Sequence, residues 1–161
     1  MNLAPENKNK YTAEGIELHS EADFEGMRKA GKLAAETLDM IGPHVVPGVT
    51  TEELDRLCHE YALKHNAIPA PLNYGGGNGR MPFPKSICTS INHVVCHGIP
   101  NEKKLREGDI VNIDVTVILD GWHGDTSRMY MVGDKIPVKA KRLVEVTYDC
   151  LMKGKNEVRP V

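Results

Sequence analysis

Two carboxylates and one imidazole in this chain have both the type and the setting to do chemistry. Asp114 interrupts the apolar run IVNIDVTVIL (Ile110 to Leu119), Asp125 follows in HGDTS, and His97 stands against a glycine in VVCHGIP. An acid inside an apolar strand costs free energy unless its charge is compensated. Two acids on one face also repel each other, and a divalent cation would relieve both problems. Plainer alternatives exist. Asp125 could open a polar strand on a solvated edge, and Asp114 could be a buried carboxylate satisfied by Thr116 or Ser127. His93 reads as a surface histidine, whereas His97, at the end of a short strand, fits a surface role and a functional one equally.

Whether the aspartates can meet depends on the element that carries them. Asp109 to Val132 reads as two β-branched and aromatic stretches broken at Asp120-Gly121, the pattern of a hairpin with a two-residue turn. Leu119 then faces Trp122 and, counting outward, Thr116 faces Asp125. Asp114 lies two residues from Thr116 and so points to the same face, leaving the aspartates as diagonal neighbours with Cα atoms roughly 7–8 Å apart. An odd loop or a bulge would put them on opposite faces.

The rest of the chain supplies layers for that hairpin. Residues 1–19 are polar and read as a flexible extension. Ser20 with Asp23 opens a helix bearing Phe24, Met27, Gly31, Ala34, Leu38 and Ile41 on one side, ended by Gly42-Pro43. Thr50 with Glu53 opens a second, with Leu54, Leu57, Cys58 and Tyr61 inward and Asn66 at its end. Ala67 to Leu72, Ser86 to Ile91 and His93 to His97 are short strand candidates. Between the first two lies the Gly- and Pro-rich NYGGGNGRMPFP, a mobile surface loop lacking the Gly-Lys-Ser/Thr or Gly-x-Gly-x-x-Gly pattern of a phosphate site. Pro137 leads into a third helix with Leu143, Val144, Thr147, Cys150, Leu151 and Gly154 as its apolar stripe. The sum is an α+β fold, a small, mainly antiparallel sheet covered on one face by about three helices, with the other face uncovered.

Composition narrows the function. The 161 residues are 40% hydrophobic with a net charge of −2, enough for one core and without general attraction to nucleic acid or an anionic membrane. A nucleic-acid role for the basic third helix has little support, because acids balance bases and aromatics are scarce. The four cysteines lie apart, with no Cys-x-x-Cys pair, and read as reduced core residues of a cytoplasmic protein. Neither a signal-peptide pattern nor a membrane-length apolar run occurs.

SICTSINHVVCHGIP (Ser86 to Pro100), followed by GDIVNIDVTVILDGWHGDTSRMYMVGD (Gly108 to Asp134), closely resembles the type I methionine aminopeptidases. The likeness extends from about Glu21 to Pro160. It implies half of a pita-bread fold, with residues 20–161 as the amino-terminal half of a catalytic domain that removes the initiator methionine from nascent chains. It also implies two divalent ions (cobalt, manganese, iron or zinc), with Asp114 and Asp125 as the first two ligands and His97 as the catalytic histidine contacting substrate. Tyr74 and Phe83 match the loop that shapes the methionine pocket, although here the family's Tyr-His-Gly-Tyr/Phe-Pro-Lys-Ser is expanded by GGGNGRMP. The other family ligands, one histidine and two glutamates, and the second catalytic histidine have no counterpart after Asp125. Two functions are therefore expected to compete. One is a metal-dependent aminopeptidase present as a half that is inactive alone; the other is a non-enzymatic half-module that binds a partner or itself through its uncovered sheet face.

Overall fold

The computed structural model describes residues 11–77 and 79–159. Residues 1–10, most of the expected extension, and Asn78, within the Gly-rich loop, lie outside them. Residues 11–19 are exposed apart from the half-buried Thr12 and turn back on themselves, Thr12 N donating to Ile16 O at 2.8 Å.

The hairpin forms with the expected register. Strands β3 (Ile110–Leu119) and β4 (Trp122–Met131) pair antiparallel, with Leu119 opposite Trp122, Thr116 opposite Asp125 and Asp114 opposite Ser127. Asp120 and Gly121 both have positive φ, 50° and 85°, the backbone of a type I′ turn whose twist suits a two-residue hairpin. Two short strands, β1 (Ile68–Pro69) and β2 (Cys88–Ile91), pair antiparallel with the other edge of β3. The first is shorter than the Ala67 to Leu72 expected.

Strand alternation divides the sheet into a dry and a wet face. Val111, Ile113, Val115 and Val117 are buried, each such burial being worth about 1.5–3 kcal/mol. Asn112, Asp114, Thr116 and Ile118 are only half-buried on the opposite face. Two helices cover the dry face. Helix α1 (Glu21–Ile41) begins with the expected capping box, Ser20 N donating to Asp23 Oδ2 at 2.7 Å. It crosses β4 and β3 with Ala30, Leu33, Ala34, Thr37, Leu38 and Ile41 buried. Phe24 and Met27, expected on that stripe, are exposed. Helix α2 (Thr51–Lys64), capped by Thr50, buries Leu54, Cys58 and Ala62, with Leu57 and Tyr61 against the same core.

The third helix departs from expectation. α3 (Val138–Glu157) starts after Pro137 as read, yet it contributes no buried residue, and Leu143, Val146 and Leu151 are exposed. Its first half instead reaches toward the wet face, where Leu143, Val144 and Thr147 border a cavity shared with Asn112, Asp114 and Met129. The cysteines also divide. Cys58 and Cys88 are buried, whereas Cys96 and Cys150 are exposed, so the expectation of four core thiols fails for the two on a loop and on α3.

Candidate functional site

The wet face holds the site. A cavity of about 530 Å³ opens there, bordered by Asp114, Thr116 and Asp125 from the hairpin, His123 from β4, Cys88 from β2 and His97. Its apolar side is formed by Ala70, Pro71, Tyr74 and Phe83. All five residues singled out from sequence, Tyr74, Phe83, His97, Asp114 and Asp125, therefore border one space.

Each is positioned differently. Asp114 and Asp125 are fixed by the hairpin register, and the apolar β3 core holds that hairpin flat against α1. His97 is not on a strand, as expected for His93 to His97, but on an irregular loop. Asn92 turns the chain at φ 52°, and its side chain is engaged on both sides: Ile110 N donates to its Oδ1 at 3.0 Å, and its Nδ2 donates to Asp109 at 2.8 Å. The loop then returns to β2, where Thr89 N donates to Gly98 O at 2.8 Å and Gly98 N to Ser90 Oγ at 3.2 Å. His97 sits at φ 55°, a conformation that costs a non-glycine residue about 1–3 kcal/mol and persists where the surroundings impose it. What imposes it is Gly98. A Cβ there would lie 2.1 Å from the Thr89 carbonyl oxygen, so the loop can press against β2 only with glycine at this position. Gly98→Ala should therefore lower stability by about 1–3 kcal/mol, as overpacking does. It should also move the His97 imidazole resonances toward random-coil shifts, while those of exposed His93 stay put.

Electrostatics mark the pair of acids. Burial first, and then the neighbouring Asp125 carboxylate, hold the Asp114 carboxyl above its ordinary range, with His97 acting in the opposite direction. Burial, followed by the Asp114 charge, pushes the Cys88 thiol beside the acids up to about 11. Two crowded oxygen ligands with an imidazole nearby suit a hard or borderline divalent cation, whose charge would offset their repulsion. They are an incomplete set. Among the described residues no three His, Cys, Asp or Glu side chains converge closely enough to hold a metal ion.

His123 and Cys88 escaped the sequence reading for different reasons. His123 lies two residues before Asp125 on the same strand, and strand alternation alone could have placed it at the site. Cys88 arrives through the pairing of β2 with β3, which sets it opposite Asp114, and no local signal announces that pairing.

The model of metallopeptidase family M24 matches residues 25–161. The chain is 68% identical over 145 residues to a methionine aminopeptidase of Rickettsia prowazekii, covering 90% of this chain and 53% of that protein. It is 51% identical over 147 residues to a methionine aminopeptidase of Escherichia coli K12, with coverage of 90% and 53%. The crystal structure of the Rickettsia enzyme superposes with a TM-score of 0.81 at 69% identity, over 86% of this chain and 53% of that one. An Escherichia coli aminopeptidase P, at 21% identity and a TM-score of 0.73, shares the fold. The chain spans about half the length of the curated relatives it matches.

Proposed function

This chain belongs to metallopeptidase family M24, and on that premise we propose that it supplies one half of the dinuclear metal centre and substrate pocket of a methionine aminopeptidase acting on nascent chains in the cytoplasm. The observation that carries the proposal is the convergence of Asp114, Asp125 and His97 on one cavity with an aromatic side wall. Asp114 and Asp125 would hold the ions. Divalent cations held there would supply Lewis acidity and a water whose pKa is lowered toward neutrality. His97, at the cavity rim, would hydrogen-bond the amide of the bond to be cleaved. Tyr74 and Phe83 would pack against the methionine side chain and exclude water from it. No helix among the described residues is long and apolar enough to cross a membrane.

Titration calorimetry with manganese or cobalt tests the metal half of this reading. Two carboxylates with a water shell should bind weakly, and Asp125→Asn should abolish the signal. Asp114→Asn should do the same while leaving the metal-free chain at least as stable, because it removes a half-buried charge facing a like charge. Tight binding of two equivalents by residues 1–161 would show that the half-site is more complete than two aspartates. A loss of stability in metal-free Asp114→Asn would instead favour a purely structural carboxylate.

One observation favours the non-enzymatic alternative, in which the chain associates with itself or a partner: α3 leaves Leu143, Val146 and Leu151 exposed. Sedimentation equilibrium over a wide concentration range tests for self-association.

A further inference from the structure

Three polar side chains on one face of α2 grip three consecutive residues beside the cavity. Glu52, Asp55 and His59 are spaced three and four apart and so share a helical face. Glu52 pairs with the Lys85 ammonium. Asp55 Oδ1 accepts the backbone N–H of Ser86 at 2.8 Å and of Ile87 at 3.1 Å, and His59 Nδ1 shares a 2.8 Å hydrogen bond with Ser86 Oγ. The residue types could suggest a nucleophilic serine with its base. Ser86 is only 4% exposed and borders neither cavity, and Asp55 is engaged by backbone amides, so that chemistry has no route to a substrate.

The gripped residues matter for where they lead. Phe83 lies just before them and Cys88 just after, and both border the cavity. Residues 81–87 form neither helix nor strand, so the Ser86 and Ile87 amides have no ladder partner, and Asp55 is what satisfies them. α2 is itself anchored in the core by Leu54, Cys58 and Ala62. On the other side of Phe83, Asn73 N donates to Phe83 O at 2.8 Å and Phe83 N to Tyr74 O at 2.9 Å, which closes the neck of the Gly-rich loop.

We propose that Glu52, Asp55 and His59 are positioning residues that tie the Phe83–Cys88 wall of the cavity to the core through α2, so that selection of the substrate's first side chain is set independently of the loop at residues 75–82. What the wall selects, an unbranched thioether-sized side chain, rests on the aminopeptidase reading; that α2 positions the wall does not. The loop expanded relative to the family would then be insulated from the pocket at both of its ends.

Alkylation of the 161-residue chain by iodoacetamide, followed by mass spectrometry, separates local from global effects. Exposed Cys150 is the reference, and buried Cys58, whose thiol burial pushes up to about 12, reports unfolding. Asp55→Ala should speed Cys88 labelling roughly tenfold or more relative to Cys150, with Cys58 unchanged. Asp55→Asn, whose carbonyl oxygen can still accept both amides, and excision of residues 77–80 should each stay within about twofold. If Asp55→Ala exposes Cys58 as well, His59→Ala, which breaks only the contact to the Ser86 hydroxyl, carries the test with the same expectation for Cys88. The second readout is the ratio of kcat/KM for methionyl over leucyl peptides, with a matching carboxy-terminal half supplied. Lost folded protein scales both substrates alike, whereas a displaced wall lowers the ratio. Unchanged Cys88 labelling in both Asp55→Ala and His59→Ala, or a loop excision that frees Cys88 as much as they do, overturns the proposal. Absence of turnover in the unsubstituted, complemented chain counts against the aminopeptidase reading alone.

Discussion

Purified residues 1–161, given manganese or cobalt, should release no measurable methionine from a Met-Ala-Ser peptide. Two carboxylates and two imidazoles, those of His97 and His123, border the cavity, yet among the described residues no three His, Cys, Asp or Glu side chains come close enough together to close a metal site. General acid–base assistance is typically worth about 10²–10⁴-fold in rate, and once both aspartates hold ions no further carboxylate borders the cavity among the described residues to provide it. Losing that together with a full ligand set removes several kcal/mol of transition-state stabilisation. Turnover should appear when the carboxy-terminal half of a matching methionine aminopeptidase is supplied in trans or fused to Val161. It should then vanish with Asp114→Ala and fall sharply with His97→Ala. Steady turnover by the isolated chain, sensitive to both substitutions, would refute the half-enzyme reading. A complemented chain that stays silent would favour the non-enzymatic module.

The parts of this site that were legible in the sequence are those fixed by short-range rules. Asp120-Gly121 can take positive φ at both turn positions, so the turn sets the register and the register sets the shared face of Asp114 and Asp125. The Ser20 and Thr50 caps start their helices for equally local reasons. What was not legible depends on contacts between distant segments. The return of the His97 loop onto β2 needs the Gly98 to Thr89 contact, and nothing in VVCHGIP distinguishes that from a short strand. The α2 grip on Lys85 to Ile87 joins residues some thirty positions apart, and no local pattern announces it. Leu143, Val144, Thr147, Cys150, Leu151 and Gly154 have the spacing of an apolar stripe, but periodicity says only that a face wants burial, and α3 buries no residue here.

Gly124→Ala should be the most damaging single-methyl addition in the hairpin, and the reason is where α1 crosses β4. A Cβ at Gly124 would lie 2.1 Å from the Ala30 carbonyl oxygen and 2.6 Å from Gly31 N, both backbone atoms of α1. A glycine inside a strand often marks such a close backbone approach. Gly26 offers the natural comparison, since a Cβ there would lie 2.4 Å from Trp122 Nε1, which belongs to a side chain. Trp122 is half-buried and can swing aside, and alanine gains up to about 1 kcal/mol over glycine inside a helix. Gly26→Ala should therefore change stability by no more than about 1 kcal/mol in either direction. Backbone cannot swing aside. Gly124→Ala must lift α1 from the sheet, opening contacts around Ala30, Leu33 and Ala34, and should cost about 3 kcal/mol, at or beyond the upper end of ordinary overpacking. Urea midpoints of the two variants measured side by side check the ordering. The consequence should reach the opposite face, because Asp125 is the next residue on β4 and a displaced strand changes its approach to Asp114. Metal affinity should then fall in Gly124→Ala at a temperature where the variant is still folded, and hold in Gly26→Ala. Equal losses of stability in the two variants would mean that the α1–β4 contact yields as readily as a side chain does, and the rigidity assigned here to the platform beneath the two aspartates would be wrong.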